Sequence, residues 1–226
     1  MTLKTAIVAL VTFTASTALA TQTTKKIAYE IDKAKFESVL IYEEGGSPKP
    51  GLVLVPNWLG VNEANLKQAK EVAARGYTVL VADVFGVQDR PKNQDEAGKI
   101  SGALKSDRAL LRKRVTKAWE MLATQKGIPL DTKKIGATGF CFGGTAALEL
   151  ARTGANLAAV VTFHAGLSSP APADAKNIKG KVLAMHGADD PFVPPQEVQA
   201  FEDEMRAAKV DWQLVSFGNS VHSFTD

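Results

Sequence analysis

The sequence predicts an α/β fold, in which a mostly parallel central sheet carries helices on both faces. Short apolar runs alternate along the chain with longer segments of helical spacing. These runs are nearly continuous, which is typical of parallel strands that are buried on both faces. With 226 residues, of which 45% are hydrophobic and 23% charged, we expect residues 21–226 to form a single domain.

Eight segments have the composition of strands. The first two, 27–31 and 36–42, are joined by a charged turn and are expected to form an antiparallel addition at one edge of the sheet. The other six are short apolar runs that fit buried strands, and they lie at 51–55, 77–82, 134–138, 157–163, 181–185 and 212–217.

Helical spacing of apolar residues predicts four helices. They lie at 62–75, 103–124, 145–152 and 195–208. Gly76 ends the first of them. The segments 45–50, 87–98 and 168–175 are predicted to be loops. We find no internal repeat and no linker that would divide the chain into two domains.

The first twenty residues are predicted to be a secretory signal peptide. Lys4 supplies a positive start, 5–20 is uncharged and rich in apolar and small residues, and an A-x-A cleavage pattern ends at Ala20. The stretch is too short and too rich in Thr and Ser for a good membrane span, although an uncleaved anchor or an N-terminal helix is the alternative. We therefore expect a periplasmic or secreted protein that begins at Thr21 and does not associate with membranes.

Charge and composition exclude several kinds of partner. The formal charge of +3, from 27 basic and 24 acidic residues, gives no ground for nucleic-acid binding. The basic cluster 112–114 lies inside a helical segment and fits a solvated helix face. No spacing fits a metal site, so we expect neither a metal nor an organic cofactor. The single cysteine excludes an intramolecular disulfide, and we expect a monomer.

The segment Gly139-Phe140-Cys141-Phe142-Gly143 has the pattern of a nucleophile elbow, with Cys in the position of the usual Ser. The chain turns sharply there from a strand into a helix, so side chains two positions before and after the nucleophile would collide. The helix N-terminus favours a thiolate, and the Phe142 N–H would point to where an oxyanion forms. The alternatives are a Rossmann phosphate loop, whose G-x-G-x-x-G spacing is absent, and a buried structural cysteine beside packing glycines.

Two further segments supply an acid and a histidine in the chain order that such an elbow requires. Asp190 follows a predicted strand, where a carboxylate can hold an imidazole, and its neighbour Asp189 is the alternative acid. His222 follows the last predicted strand and is the candidate base. Another histidine, His164, ends a strand and could line the pocket. The candidate triad is therefore Cys141, His222 and Asp190.

Together these segments resemble the dienelactone hydrolase family. GFCFGG, HGADDPFVP and VHSFTD look like its characteristic stretches, and PNWLGVNE and ADVFG fall where it has its first oxyanion loop and a pocket loop. The resemblance runs from about Gly51 to the last residue. It implies an α/β-hydrolase fold, cleavage of a small ester or lactone through a thioester intermediate, and an oxyanion hole from the N–H groups of Trp58 and Phe142.

The chain departs from the family members that open dienelactone. Those members have a Glu just before the position of Trp58, where this chain has Asn57. They hold the substrate carboxylate with two Arg, but Asp226 occupies the position four residues after His222, and only Arg90 could replace the other. We therefore expect neutral esters or lactones to be preferred to carboxylated ones. The residues expected to contact the substrate are Asn57, Phe85, Arg90 and His164.

Family members usually continue into a last helix beyond the point where this sequence ends. A missing helix would leave apolar surface uncovered, and the ending is consistent with a truncated sequence. Two other functions fit the same fold. One is a non-catalytic binding protein with a relic triad, and the other is a thiol sensor using Cys141, for which the sequence offers no resolving cysteine.

Overall fold

The computed structural model describes residues 21–225, and the predicted signal peptide and Asp226 lie outside the described residues. Within that range, eight strands form one sheet. In chain order they are β1 (Gln22–Ile31), β2 (Ala34–Glu43), β3 (Lys49–Val55), β4 (Thr78–Val81), β5 (Leu130–Phe140), β6 (Ala159–Phe163), β7 (Lys181–Gly187) and β8 (Trp212–Phe217).

The strand order across the sheet is β1-β2-β4-β3-β5-β6-β7-β8. All neighbours from β4 through β8 run parallel, whereas β1 pairs antiparallel with β2 and β2 pairs antiparallel with β4. The predicted antiparallel addition at one edge of a mostly parallel sheet is therefore confirmed.

Five α-helices in the described residues connect the strands. They are α1 (Glu63–Ala73), α2 (Gln94–Ser106), α3 (Arg108–Ala123), α4 (Phe142–Arg152) and α5 (Pro195–Ala207). A short 3-10 helix, Pro172–Asn177, lies where the sequence predicted a loop. No helix in this part of the chain combines the length and the apolar character that crossing a bilayer requires.

The helices α2 and α3 correct the prediction of a loop over 87–98 and a single helix over 103–124. Asn93 caps α2, because its side-chain oxygen accepts the Glu96 N–H at 2.9 Å. Asp107 ends α2 and caps α3 by accepting a first-turn N–H of α3 at 2.9 Å. Two capping side chains therefore divide this region into two helices, and the first begins well before the predicted start.

The helices cover both faces of the sheet. Side chains of β3 alternate between two apolar clusters: Leu54 packs in a cluster with Ala69 and Ala73 of α1, whereas Val53 and Val55 belong to the other cluster. That second and larger cluster includes buried residues of α3, α4 and α5. The two-faced arrangement that the sequence predicted is confirmed.

A buried ion cluster fastens α4 to α5. Arg152 is fully buried, and its Nε and Nη2 donate to the two carboxylate oxygens of Glu204 at 2.8 and 2.7 Å. Its Nη1 donates to Glu149 at 3.1 Å, and Nη2 also donates to the Leu167 carbonyl oxygen at 3.1 Å. Because a buried charge without partners is costly, this cluster fixes the position of the helix that follows Cys141.

Candidate active site

The candidate catalytic residues follow parallel strands at their carboxyl ends. Cys141 comes directly after β5, Asp190 follows β7 and His222 follows β8. The segment that contains Asn57 and Trp58 follows β3. Since these strands are parallel, they deliver four chain segments to the same edge of the sheet, where open α/β sheets usually bind their ligands.

The turn from β5 into α4 holds Cys141 at φ 54° and ψ −121°. An L-residue rarely adopts a positive φ, so its surroundings must impose it. A Cβ on Gly139 would lie 2.1 Å from the carbonyl oxygen of Gly143, and a Cβ on Gly143 would lie 2.1 Å from the carbonyl oxygen of Val55. Both glycines are therefore required by close approaches of backbone, one inside the elbow and one against β3.

His222 is bonded to both of the other candidate residues. Its Nε2 lies 3.1 Å from Cys141 Sγ, and its Nδ1 lies 2.8 Å from Asp190 Oδ2. The second oxygen, Asp190 Oδ1, accepts the Phe192 N–H at 2.9 Å. The Asp190 side chain is fully buried. Asp189 is exposed instead. The carboxylate that contacts the imidazole is therefore that of Asp190, which the sequence alone left open.

These contacts raise the pKa of His222 from its ordinary value of 6.5 to about 9. The hydrogen bond to Cys141 is the largest cause; partial burial of the ring opposes it, and the hydrogen bond to Asp190 adds to it. The imidazolium is therefore the favoured form at neutral pH. The nearby His186 behaves oppositely, because burial lowers its pKa.

Main-chain contacts hold the loop after β8 against the loop after β7. The Ala188 N–H donates to the Phe217 carbonyl oxygen at 2.9 Å, and the Asp189 N–H donates to the Ser220 carbonyl oxygen at 3.0 Å. A Cβ on Gly187 would lie 2.5 Å from that same Ser220 oxygen. The spacing of the acid and the histidine is thus set by backbone as well as by their own hydrogen bond.

The predicted oxyanion-hole residues, Trp58 and Phe142, line the same cavity as Cys141. Phe142 begins α4, so its N–H has no acceptor within the helix. The turn that presents Trp58 is organised by Asn57, whose Oδ1 accepts the Leu59 N–H at 3.1 Å. Among the described residues neither N–H donates to another protein group, as an oxyanion hole requires.

Cys141 and His222 open into a cavity of about 310 Å³. Of the residues predicted to contact the substrate, Asn57 lines it. Seven other lining residues were not predicted, and they are Ser101, Lys105, Thr145, Gly166, Phe192, Val193 and Ser223. Within residues 21–225, no group of three or more His, Cys, Asp or Glu side chains could hold a metal ion.

The missed residues had different signals in the sequence. Phe192 lies two residues after Asp190, and its ring meets the His222 ring edge-on, with centroids 5.2 Å apart and 72% of the residue exposed. Its place beside the acid could have indicated a position at the mouth of the cavity. Ser101 and Lys105 had no such signal, because α2 was not recognised as a separate helix.

Two residues predicted to bind substrate, Phe85 and Arg90, do not line the cavity. Phe85 is 1% exposed and stacks on Phe142 with ring centroids 5.3 Å apart, so it supports the site from behind. Arg90 Nη2 donates to the Asp83 carboxylate at 2.9 Å and to the Glu37 carbonyl oxygen at 2.7 Å. The buried Asp83 carboxylate thus engages the guanidinium that was expected to meet the substrate.

His164 also lies outside the lining of the cavity, because it is buried behind His222. Its Nε2 is 2.8 Å from Thr225 Oγ1, and its ring meets the edge of the His222 ring with centroids 5.0 Å apart. His164 therefore packs against the candidate base and is not among the residues that line the cavity, where the sequence had predicted it.

A nucleophile elbow at the carboxyl edge of a mostly parallel sheet, with an acid and a histidine bonded to it, defines an α/β-hydrolase. The model of the dienelactone hydrolase family matches residues 36–226, and the chain belongs to that family. Family and fold together make it a dienelactone hydrolase-like hydrolase.

Three similar proteins illustrate the range of this similarity. The solved structure of a dienelactone hydrolase-like promiscuous phosphotriesterase from metagenomic libraries is 39% identical, with a TM-score of 0.82 over 91% of this chain and 85% of that chain. An uncharacterized protein of Caenorhabditis elegans is 36% identical over 104 residues, which are 45% of this chain and 66% of that protein. A carboxymethylenebutenolidase homolog of Xenopus tropicalis is 25% identical over 79% of this chain and 71% of that protein.

Proposed function

We propose that the protein hydrolyses small carboxylic esters or lactones through a thioester on Cys141. The observation that carries the proposal is the unbroken chain of hydrogen bonds from Asp190 Oδ2 to His222 (2.8 Å) and from His222 to Cys141 Sγ (3.1 Å). The chain ends at a cavity of about 310 Å³, which is large enough for a small ester.

In the first half of the proposed reaction, the sulfur attacks the carbonyl carbon of the substrate. His222 holds the proton that Cys141 gives up, and Asp190 keeps the ring oriented with Nδ1 toward its carboxylate. The Trp58 and Phe142 N–H groups bind the negative oxygen of the tetrahedral intermediate. When the C–O bond breaks, His222 gives its proton to the departing alkoxide, and a thioester on Cys141 remains.

In the second half, water attacks the thioester and releases the carboxylic acid. The largest cause of the raised His222 pKa is its bond to Cys141, and acylation of the sulfur removes that cause. The imidazole that has just lost its proton therefore stays neutral and can take a proton from water. Collapse of the second tetrahedral intermediate breaks the C–S bond, and the thiolate and the imidazolium are restored.

A thiol sensor or a non-catalytic binding protein would need fewer of the features found around Cys141. A thiol sensor needs no buried carboxylate behind a histidine, and a relic triad needs no strained nucleophile. The positive φ of Cys141 and the full burial of the Asp190 side chain therefore support catalysis, because such costs persist where a function requires them. Asn57 in place of a Glu argues against dienelactone itself as the substrate.

Turnover of a substrate panel tests the proposal. The panel contains 4-nitrophenyl esters, simple lactones and, because a relative is described as a promiscuous phosphotriesterase, a phosphotriester. We expect the protein starting at Thr21 to hydrolyse esters or lactones well above a heat-denatured control. Absence of turnover across the whole panel would support the binding-protein or sensor alternative instead.

The setting of the reaction is also a proposal. We infer that the enzyme acts outside the cytoplasm, in the periplasm or medium, and needs neither metal nor organic cofactor. The basis is the composition of residues 1–20 and the absence of any step in the mechanism that requires a group other than the side chains and N–H groups named above.

A further inference from the structure

We propose that Lys105 binds a negatively charged group of the substrate, so that the preferred substrates are esters or lactones that carry a carboxylate. This inference rests on the proposed hydrolase function and adds a substrate class to it. Its starting observation is that Lys105 lines the same cavity as Cys141 and His222.

Helix α2 directs Lys105 to this cavity. Gly98, Ser101 and Lys105 are separated by three and four residues, so they share one face of the helix. A Cβ on Gly98 would lie 3.6 Å from the Trp58 ring, and Ser101 is buried in the cavity wall. Lys105 is the next residue along this face, and it is exposed at the end of α2.

The charges around the cavity favour an anion. Lys105 is the one Lys or Arg among the described residues that line it, and no Asp or Glu lines it. None of the ion pairs found within residues 21–225 includes Lys105. The imidazolium of His222 adds no net positive charge, because its proton comes from Cys141 and its ring is hydrogen-bonded to the Asp190 carboxylate. Lys105 is therefore the cation of this lining that none of the ion pairs neutralises, and a substrate carboxylate can pair with it.

This inference replaces the expectation of neutral substrates, which rested on the lack of Arg after His222. In the structure the cation of the cavity is Lys105, which lies on α2. The first part of α2 was predicted to be a loop. An ammonium on a flexible stem acts as a point charge and does not require a bidentate partner. Lys105 can therefore hold carboxylates that differ in their distance from the ester carbonyl.

A matched pair of substrates tests the role of Lys105. One probe is the mono-4-nitrophenyl ester of glutaric acid, which keeps a free carboxylate, and the other is the same compound with that carboxylate methylated. We expect the wild-type protein to prefer the anionic probe in kcat/KM by roughly tenfold, and Lys105→Met to reduce that ratio to about one. The ratio between the two probes is the readout, because a merely structural effect of Lys105→Met would change both kcat/KM values alike and leave the ratio as in the wild type.

The controls isolate charge from structure. Lys99→Met changes a lysine on the same helix that is exposed and does not line the cavity, and it should leave the ratio unchanged. Lys105→Arg keeps the charge and should keep most of the preference. High salt should weaken the preference in the wild type and have little effect on Lys105→Met, because screening acts on the charge pair.

The outcomes separate this inference from the proposed function. If the wild type hydrolyses the neutral probe but shows no preference for the anion, or if Lys105→Met keeps the preference, the role of Lys105 is refuted and the hydrolase function stands. If the wild type hydrolyses neither probe, the hydrolase function fails and this inference falls with it.

Discussion

At the scale of single residues, the charge of His222 links stability to chemistry. Its pKa is raised from 6.5 to about 9, first by the bond to Cys141 and then by Asp190. A folded-state pKa above the ordinary value means that protonation favours the folded site. This contribution is fully present below about pH 6.5 and is lost as the pH rises through about 9.

Replacement of Asp190 should lower the pKa of His222. Asp190→Asn removes the carboxylate 2.8 Å from Nδ1 but leaves the larger effect of Cys141 in place. The pKa should therefore fall below the wild-type value without dropping far under 6.5, and kcat should fall as well. NMR titration of the imidazole C–H protons measures the pKa directly.

Asp189→Asn is the matched control, because it removes the same charge from the adjacent, exposed position. This variant should titrate like the wild type. If both variants shifted the pKa of His222 equally, a general loss of negative charge would explain the effect, and the specific bond to Asp190 would not.

The residues of the candidate site differ in how far the sequence could reveal them. Cys141 and His222 were predictable, because the elbow motif and the chain order restrict both to one position. Asp190 and Asp189 could not be separated by sequence, since only the folded loop buries one and exposes the other. Lys105 was not predictable, because its place in the cavity depends on the packing of α2.

At the scale of elements, the elbow is fixed by a contact between α4 and β3. Gly143→Ala would place a Cβ 2.1 Å from the Val55 carbonyl oxygen, and two backbones cannot separate without moving the nucleophile. We expect a loss of stability of about 3 kcal/mol or more and a loss of esterase activity. Urea unfolding measures the stability.

Gly102→Ala is the control for this substitution. Gly102 lies inside α2, and nothing lies within 4 Å of the position that its Cβ would take. Because Ala is a better helix former than Gly, the variant should gain about 0.5–1 kcal/mol. A Gly143→Ala protein as stable as Gly102→Ala would contradict the close approach at the elbow.

Helix boundaries show why part of the element structure escaped the sequence analysis. The strand 212–217 was predicted with its observed bounds, because an apolar run and its flanking turn coincide there. The helix α2 was missed because its first turn is polar and its start depends on the Asn93 cap. The end of α2 depends on Asp107, which also caps α3. The spacing of apolar residues does not reveal such a cap.

At the scale of the whole molecule, the direction of the strands assembles the site. Residues far apart in the chain meet because β3, β5, β7 and β8 all lie in the parallel part of the sheet. The alternation of strands and helices predicted this much, since it fixes the class of sheet and the edge where ligands bind. It could not predict which side chains line the cavity, because loops and helix ends place them.

Export is the prediction that concerns the whole chain. The positive start at Lys4, the uncharged stretch to Ala20 and the cleavage pattern there predict a mature protein that begins at Thr21. N-terminal sequencing of the native protein, recovered from the periplasm or medium of its own cells, measures this. Recovery of native protein that still begins at Met1 would contradict it.

The central claim is that the reaction passes through the sulfur of Cys141, and the most direct measurement is kcat for ester hydrolysis by Cys141→Ala. The variant keeps the fold but lacks the nucleophile that His222 and Asp190 serve, so we expect kcat to fall by roughly 10³-fold or more. Circular dichroism and thermal unfolding should match the wild type. A folded Cys141→Ala protein with near wild-type esterase activity would contradict the account.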